Sequence, residues 1–240
     1  MTRLASDRRL YPFFQFACGL LLLPLSLRAL DPAKSVFQFN CQNWSRHNGL
    51  PADKIAAVAQ TADGFIWLGT QHGLTRFDGL DFSVVPIALP EAKGHDVRAL
   101  YAAHRGGLWF AIDQGGFGYF DGRVFTPVGD ARWSQPGMSA TAILERRNGA
   151  IWTGSIFGAA RWVKDDPQRT FFEETFENAL LLAEDPQGRV WCGAAERGLR
   201  YFEKGKWTAI ADEELSRRNI NALAFTPDGD IWVGTNQGLR

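Results

Sequence analysis

Asp63–Phe82, DGFIWLGTQHGLTRFDGLDF, decides the fold because the chain writes its pattern five times. Its tryptophan, Trp67, has counterparts at Trp109, Trp152, Trp191 and Trp232, at spacings of 42, 43, 39 and 41 residues. A period of about 40 residues is the length of one four-stranded propeller blade. The copies read DGFIWLGTQHGL, GGLWFAIDQGG, NGAIWTGSIFGA, QGRVWCGAAERGL and DGDIWVGTNQGL. Each is a turn, a short apolar strand with a central Trp, a glycine turn and the start of a further strand.

The first copy predicts four strands. Small residues over 55–60, IAAVAQ, suit an inner strand near a crowded axis. Residues 65–70 form the Trp strand, and 74–78 and 81–87 the third and outer strands. The apolar run Phe65, Ile66, Trp67, Leu68 fits a strand with neighbouring layers on both faces. Blades are expected over about 55–87, 97–128, 140–175, 177–210 and 220–240. In the second, Ala111 replaces the glycine that follows the other four tryptophans by two positions. The fifth supplies INALAF and DIWVGT, then GLR, with no third or fourth strand expected. The fold expected is therefore an all-β propeller, here an incomplete arc of four blades and part of a fifth. An open arc exposes the apolar faces of its terminal blades, so the chain reads as the amino-terminal piece of a longer protein. A closed five-bladed ring is the alternative.

Residues 1–29 are a different text. Arg3, Arg8 and Arg9 precede 18 uncharged residues, Leu10 to Leu27, and small Ala29 offers a cleavage point. This reads as an export signal peptide; an uncleaved anchor is the alternative, weakened by Pro12 and Pro24. Residues 30–54 are expected to hold a leading strand, Val36 to Trp44, and a linker punctuated by Asn48, Gly49 and Pro51. Removing the signal takes Cys18 with it, and Cys41 and Cys192 read as separate thiols.

Composition narrows the function. Of 240 residues, 45% are hydrophobic, and 26 Lys and Arg balance 26 Asp and Glu, leaving no basic surface for nucleic acid. His47, His72, His95 and His104 show no metal-ligand spacing, no G-x-S-x-G elbow occurs, and nothing calls for a cofactor. One Trp per blade on the same strand is what an inter-blade core requires, and losing one is expected to cost about 3–5 kcal/mol. Gly69, Gly154, Gly193 and Gly234, like the Asp-Gly pairs, read as turn geometry. Recognition is expected where the repeat is unconstrained. Loops joining the second and third strands carry Gln71, His72, Gln114, Ile156, Phe157, Arg197 and Asn236; loops between blades carry His95, Trp133 and Arg217. Both sets should emerge on one face. Aromatic, cationic and amide groups together suit an oligosaccharide or another small polar ligand.

The blocks QNWSRHNGLPADKIAAVAQTADGFIWLGTQHGLTRFDGLDF and PDGDIWVGTNQGLR resemble the two-component regulator propeller repeats of bacterial sensor proteins. The resemblance extends over residues 36–240 and implies sensing, not catalysis, for this chain. It also implies partners within a longer protein: further blades, a membrane helix and a cytoplasmic histidine kinase or diguanylate cyclase. Such a protein would present its propellers in the periplasm, be anchored in the inner membrane, and could pair as a homodimer. Two other classes stay open: an exported scaffold for polysaccharide or protein, and a propeller lyase or hydrolase.

Overall fold

The computed structural model describes residues 41–87, 95–114, 116–128, 139–163, 166–172, 178–195, 197–226 and 228–240, with only the backbone of 163 and 166–172. The expected signal peptide, residues 36–40 of the expected leading strand, and Trp133 lie outside them. The chain divides into Met1–Asn43 and Trp44–Arg240, and all the sheets belong to the second unit.

Five small antiparallel sheets are arranged as the blades of a β-propeller, each a meander in chain order. Blade one comprises β1 (Ile55–Gln60), β2 (Ile66–Thr70), β3 (Gly73–Phe77) and β4 (Phe82–Val85). Blade two comprises β5 (Val97–Ala102), β6 (Leu108–Ile112), β7 (Gly116–Phe120) and β8 (Phe125–Val128). Blade three has β9 (Ala140–Glu145), β10 (Ile151–Ser155), β11 (Gly158–Val163) and β12 (Asp166–Phe172). Blade four has β13 (Ala179–Glu184), β14 (Val190–Ala194), β15 (Gly198–Glu203) and β16 (Lys206–Ala209). Blade five has β17 (Ile220–Phe225), β18 (Ile231–Thr235) and the two-residue β19 (Gly238–Leu239). The fifth repeat thus carries a third strand where the sequence reading expected none. Residues 41–44 of the expected leading strand are not in a strand, and Arg46–Asn48 form a 3-10 turn. Among the described residues, no helix is long and apolar enough to cross a membrane.

First strands of successive blades lie side by side, β1 against β5, β5 against β9, β9 against β13 and β13 against β17. The tryptophans bridge these interfaces. Trp67 meets Phe120 of the next blade edge-on at 5.7 Å, Trp152 meets Phe202 at 5.0 Å, and Trp191 meets Phe225 at 5.9 Å. Trp152 and Trp191 are buried, but Trp232, on the fifth sheet, is 47% exposed. At the other end of the series, Trp44 lies edge-on to Phe77 at 5.0 Å. Phe77 holds the place in blade one that Phe120 and Phe202 hold in theirs. Of the leading segment's described residues, Trp44 contributes an aromatic ring to blade one.

The four glycines after the tryptophans need correcting. Gly69, Gly154, Gly193 and Gly234 lie inside strands, and none has a positive φ. A Cβ on Gly69 would lie 2.8 Å from the Val97 carbonyl oxygen, one on Gly154 2.9 Å from that of Ala179, and one on Gly193 2.7 Å from Ile220 Cβ. Close approach of the next blade's first strand excludes a side chain at Gly69, Gly154 and Gly193, so these three serve packing between blades and not turns, while Gly234 meets only Ala222 of its own blade.

Each buried indole N–H also needs an acceptor. Trp67 donates to Thr61 Oγ1 (2.9 Å) and Trp191 to Asp185 Oδ2 (2.7 Å), in both cases a residue six positions back. In blade two that position is Ala103, which has no side-chain acceptor; Trp109 donates across the blade boundary to Glu145 Oε2 at 3.1 Å. In blade three it is Arg146, and the buried Trp152 Nε1 finds no acceptor among the described residues.

Candidate functional site: the face of the second-to-third strand loops

The turn between second and third strands has two forms, set by one hydroxyl. Thr70 Oγ1 donates to the Gly73 carbonyl at 2.9 Å and accepts the His72 N–H at 3.1 Å. Ser155 repeats both bonds with Gly158 and Phe157, each at 3.2 Å, and Thr235 with Gly238 and Gln237 at 2.9 and 3.1 Å. These three turns span two residues. Where the position is Ile112 or Ala194, the hydroxyl is missing and the loop is one residue longer. In the loop after Ile112, Gln114 adopts φ 53°.

Main-chain hydrogen bonds tie these turns to the segments that enter the blades. Asp113 N–H donates to the Asp96 carbonyl (2.8 Å), Asn178 N–H to Ile156 (2.8 Å), Ala195 N–H to Asn178 (3.1 Å) and Asn236 N–H to Asn219 (3.3 Å). The two loop sets therefore share a face. On it Gln71, His72, His95, Gln114, Arg197, Arg217 and Asn236 are exposed, and Phe157 is 55% exposed. The rings and amides do not converge as one group. Gln71 Nε2 lies 3.2 Å from His72 Nε2, and Arg217 pairs with Glu213 at 2.8 Å.

One cleft on this face, ≈ 300 Å³, spans blades two and three and gathers Arg98, Asp113, Gln114, Ser139, Thr141 and Ile156. Its construction rests on a bulge repeated in every blade. The ladder of each first strand skips its second residue: Ala56, Arg98, Thr141, Leu180 and Asn221 are unpaired by register. Such a bulge twists the strand and re-aims the side chain it carries. In blades two and three the bulged residues are Arg98 and Thr141, which both line the cleft.

Arg98 Nη2 lies 2.9 Å from Asp96 Oδ2 and 3.0 Å from Asp113 Oδ2, so its charge is locally compensated. Among the described residues, Arg98 Nε and Ser139 Oγ are buried without hydrogen-bond partners. Thr141 Oγ1 is used already, donating to the Ala179 carbonyl at 2.6 Å. The cleft thus offers two idle polar groups, an amide and an aliphatic side. That set can orient a hydroxylated ligand by hydrogen bonds without demanding a net charge. Sequence reasoning named Gln114 and Ile156 and missed Arg98, Asp113, Ser139 and Thr141. A signal existed for one of them: Arg98 is a charge inside a first strand, VRALYA, whose counterparts carry none before their last residue.

Among the described residues, no group of three or more His, Cys, Asp or Glu is arranged to hold a metal ion. Cys41 is exposed and Cys192 buried, both free thiols; burial pushes the Cys192 pKa up to about 12.

Comparison with known proteins gives the fold a context. The chain resembles the extracellular domain of a putative hybrid two component system from B. thetaiotaomicron, at 17% identity and a TM-score of 0.67, over 82% of this chain and 30% of that one. It resembles virginiamycin B lyase from Staphylococcus aureus at 15% identity and a TM-score of 0.60, over 78% and 68%. The extracellular domain of a putative one component system from B. thetaiotaomicron matches at 16% identity and a TM-score of 0.59, over 80% and 27%. The chain thus spans about a third or less of the two system domains. No curated protein matches it. At these identities the likeness is one of fold. Residues 49–72 and 214–237, the first and fifth copies of the repeat, match the two component regulator propeller family.

Proposed function

We propose that this chain is the extracytoplasmic, ligand-sensing propeller region of a bacterial two-component signalling protein, and that it recognises its ligand without transforming it. The observation that carries the reading is the cleft at Arg98 and Ser139, where buried polar groups stand without partners among the described residues, on the face where the repeats diverge. The family match at both the first and fifth repeats supports the signalling role. The ligand is an oligosaccharide or another small polyhydroxylated molecule, since the cleft pairs hydrogen-bonding groups with a compensated charge. Further blades of the same repeat cover the apolar face that leaves Trp232 47% exposed, so the five blades act as part of a larger ring. Membrane anchoring, the kinase or cyclase output and pairing of whole receptors belong to that larger protein. The basic, then apolar, leader at residues 1–29 supports export to the periplasm, which fractionation of cells expressing a tagged chain checks.

Thermal unfolding of the chain against a panel of neutral and acidic oligosaccharides tests the reading. A saturable rise in Tm with one sugar class is expected, abolished by Ile156→Trp and reduced by Gln114→Ala. A panel with no shift, or a shift that neither variant alters, overturns it.

A further inference from the structure

Opposite the loop face, between the first-to-second strand loops of blades two and three, lies a cavity of ≈ 400 Å³ unrelated to the Arg98 cleft. It is of a size that holds small molecules, about 300–1,000 Å³. Its walls are Trp109, Phe117 and Tyr119 from blade two and Trp162 from blade three. Trp109 is stacked on Phe117 at 5.3 Å, and Phe117 in turn meets Trp162 at 5.4 Å across the interface. The origin of this arrangement is local: with Ala103 at the acceptor position, the Trp109 indole is tied to the next blade's Glu145.

Glu145 also lines the cavity and is only 8% exposed. Its Oε2 accepts two hydrogen bonds, from the His104 N–H at 2.9 Å and from Trp109 Nε1 at 3.1 Å. No cation among the described residues pairs with it. The neighbouring arginines are engaged elsewhere: Arg146 with Glu184 at 3.1 Å, and Arg147 with Glu184 and the carbonyls of Asp185 and Pro186. Arg105 lines the cavity but is exposed and makes no ion pair with Glu145. A buried carboxylate is costly unless a positive charge compensates it. Aromatic walls supply negative quadrupole faces that attract the same kind of charge.

We propose that this cavity is a binding site for a small organic ammonium ion, of the quaternary or methylated amine class, with Glu145 as counter-ion and the four aromatic rings as its cage. An anion does not fit beside Glu145, and the cavity shares no lining residue with the loop-face cleft, so the site is separate from the one proposed there.

Titration of the intact chain with choline, glycine betaine and tetramethylammonium, read by tryptophan fluorescence and calorimetry, tests it. At least one should bind saturably, and choline should bind roughly tenfold more tightly than its neutral isostere 3,3-dimethylbutan-1-ol. Glu145→Gln keeps an acceptor for Trp109 and His104 and should abolish that preference while leaving the far-UV spectrum unchanged. Should that variant misfold, Tyr119→Leu serves instead, removing one ring and weakening every cation in parallel. No binding by any of the three cations, or equal affinity for choline and its isostere, overturns the proposal and leaves the cavity a packing gap between blades.

Discussion

Asp185 shows how a single side chain can serve both a blade and its tryptophan. Its carboxylate is 1% exposed, accepts from Trp191 Nε1 at 2.7 Å, and pairs with Arg189 Nε at 2.6 Å. Arg189 in turn lies over the Trp191 and Tyr201 rings at 5.2 and 5.0 Å. Burial acts to raise the Asp185 pKa, but the donors of Trp191 and Arg189 together outweigh it and hold it below the usual value. A depressed folded-state pKa contributes stability that is present above the unfolded value of about 4 and is lost as pH falls through the folded one. Asp185→Asn should therefore destabilise the chain more at pH 7 than at pH 3. Denaturant titrations at the two values check this; an equal loss at both would remove the carboxylate charge from the account. Asp78 and Asp121 repeat the direction at the surface, each lowered first by backbone N–H groups of the turn it caps.

At the scale of the blade, stability lies in the seam between one sheet and the next. The glycine two residues after Trp67, Trp152 and Trp191 lets the following first strand approach, and the contacts a Cβ would make there distinguish these positions from Gly234. Gly193 would place a Cβ 2.7 Å from Ile220 Cβ, whereas Gly234 would meet only Ala222 of its own blade at 3.1 Å. Gly193→Ala should cost about 1–3 kcal/mol, and Gly234→Ala a fraction of that. Chemical denaturation of the two variants compares them, and similar losses would argue against the seam. The Trp period made the existence of these seams legible, because one large apolar residue per 39 to 43 residues has few other uses. Their chemistry was not legible. Both Trp109 to Glu145 and Arg98 to the cleft depend on which residues face each other across two blades, and no local pattern encodes that. The bulge that turns out Arg98 and Thr141 was equally silent, since a skipped pairing leaves no mark on composition. Glycine was misread for a related reason: a position that excludes a side chain looks the same in sequence as one that needs a positive φ.

At the scale of the whole series of blades, the two outer faces differ. The first is partly dressed by Trp44, which lies on Phe77 at 5.0 Å and near Phe82 at 6.1 Å. The last presents Trp232, 47% exposed, and Leu239, 65% exposed. Exposed apolar surface of that kind drives association. The purified chain should self-associate with rising concentration, and Trp232→Ser should shift it towards monomer, as sedimentation velocity would report. A monomer at every concentration would mean that the last blade is adequately solvated as it stands, against the covering by further blades proposed above. The formal charge of zero gives no long-range repulsion to oppose such association. The hydroxyl that closes the short turns has a last consequence, for descent and engineering alike. Thr70, Ser155 and Thr235 hold two-residue turns, while Ile112 and Ala194 accompany longer ones, so loop length on this face goes with one side chain beneath it. Insertions there can be accepted blade by blade, with a single accompanying substitution, and the sheets below need not be rewritten for the loops to diversify.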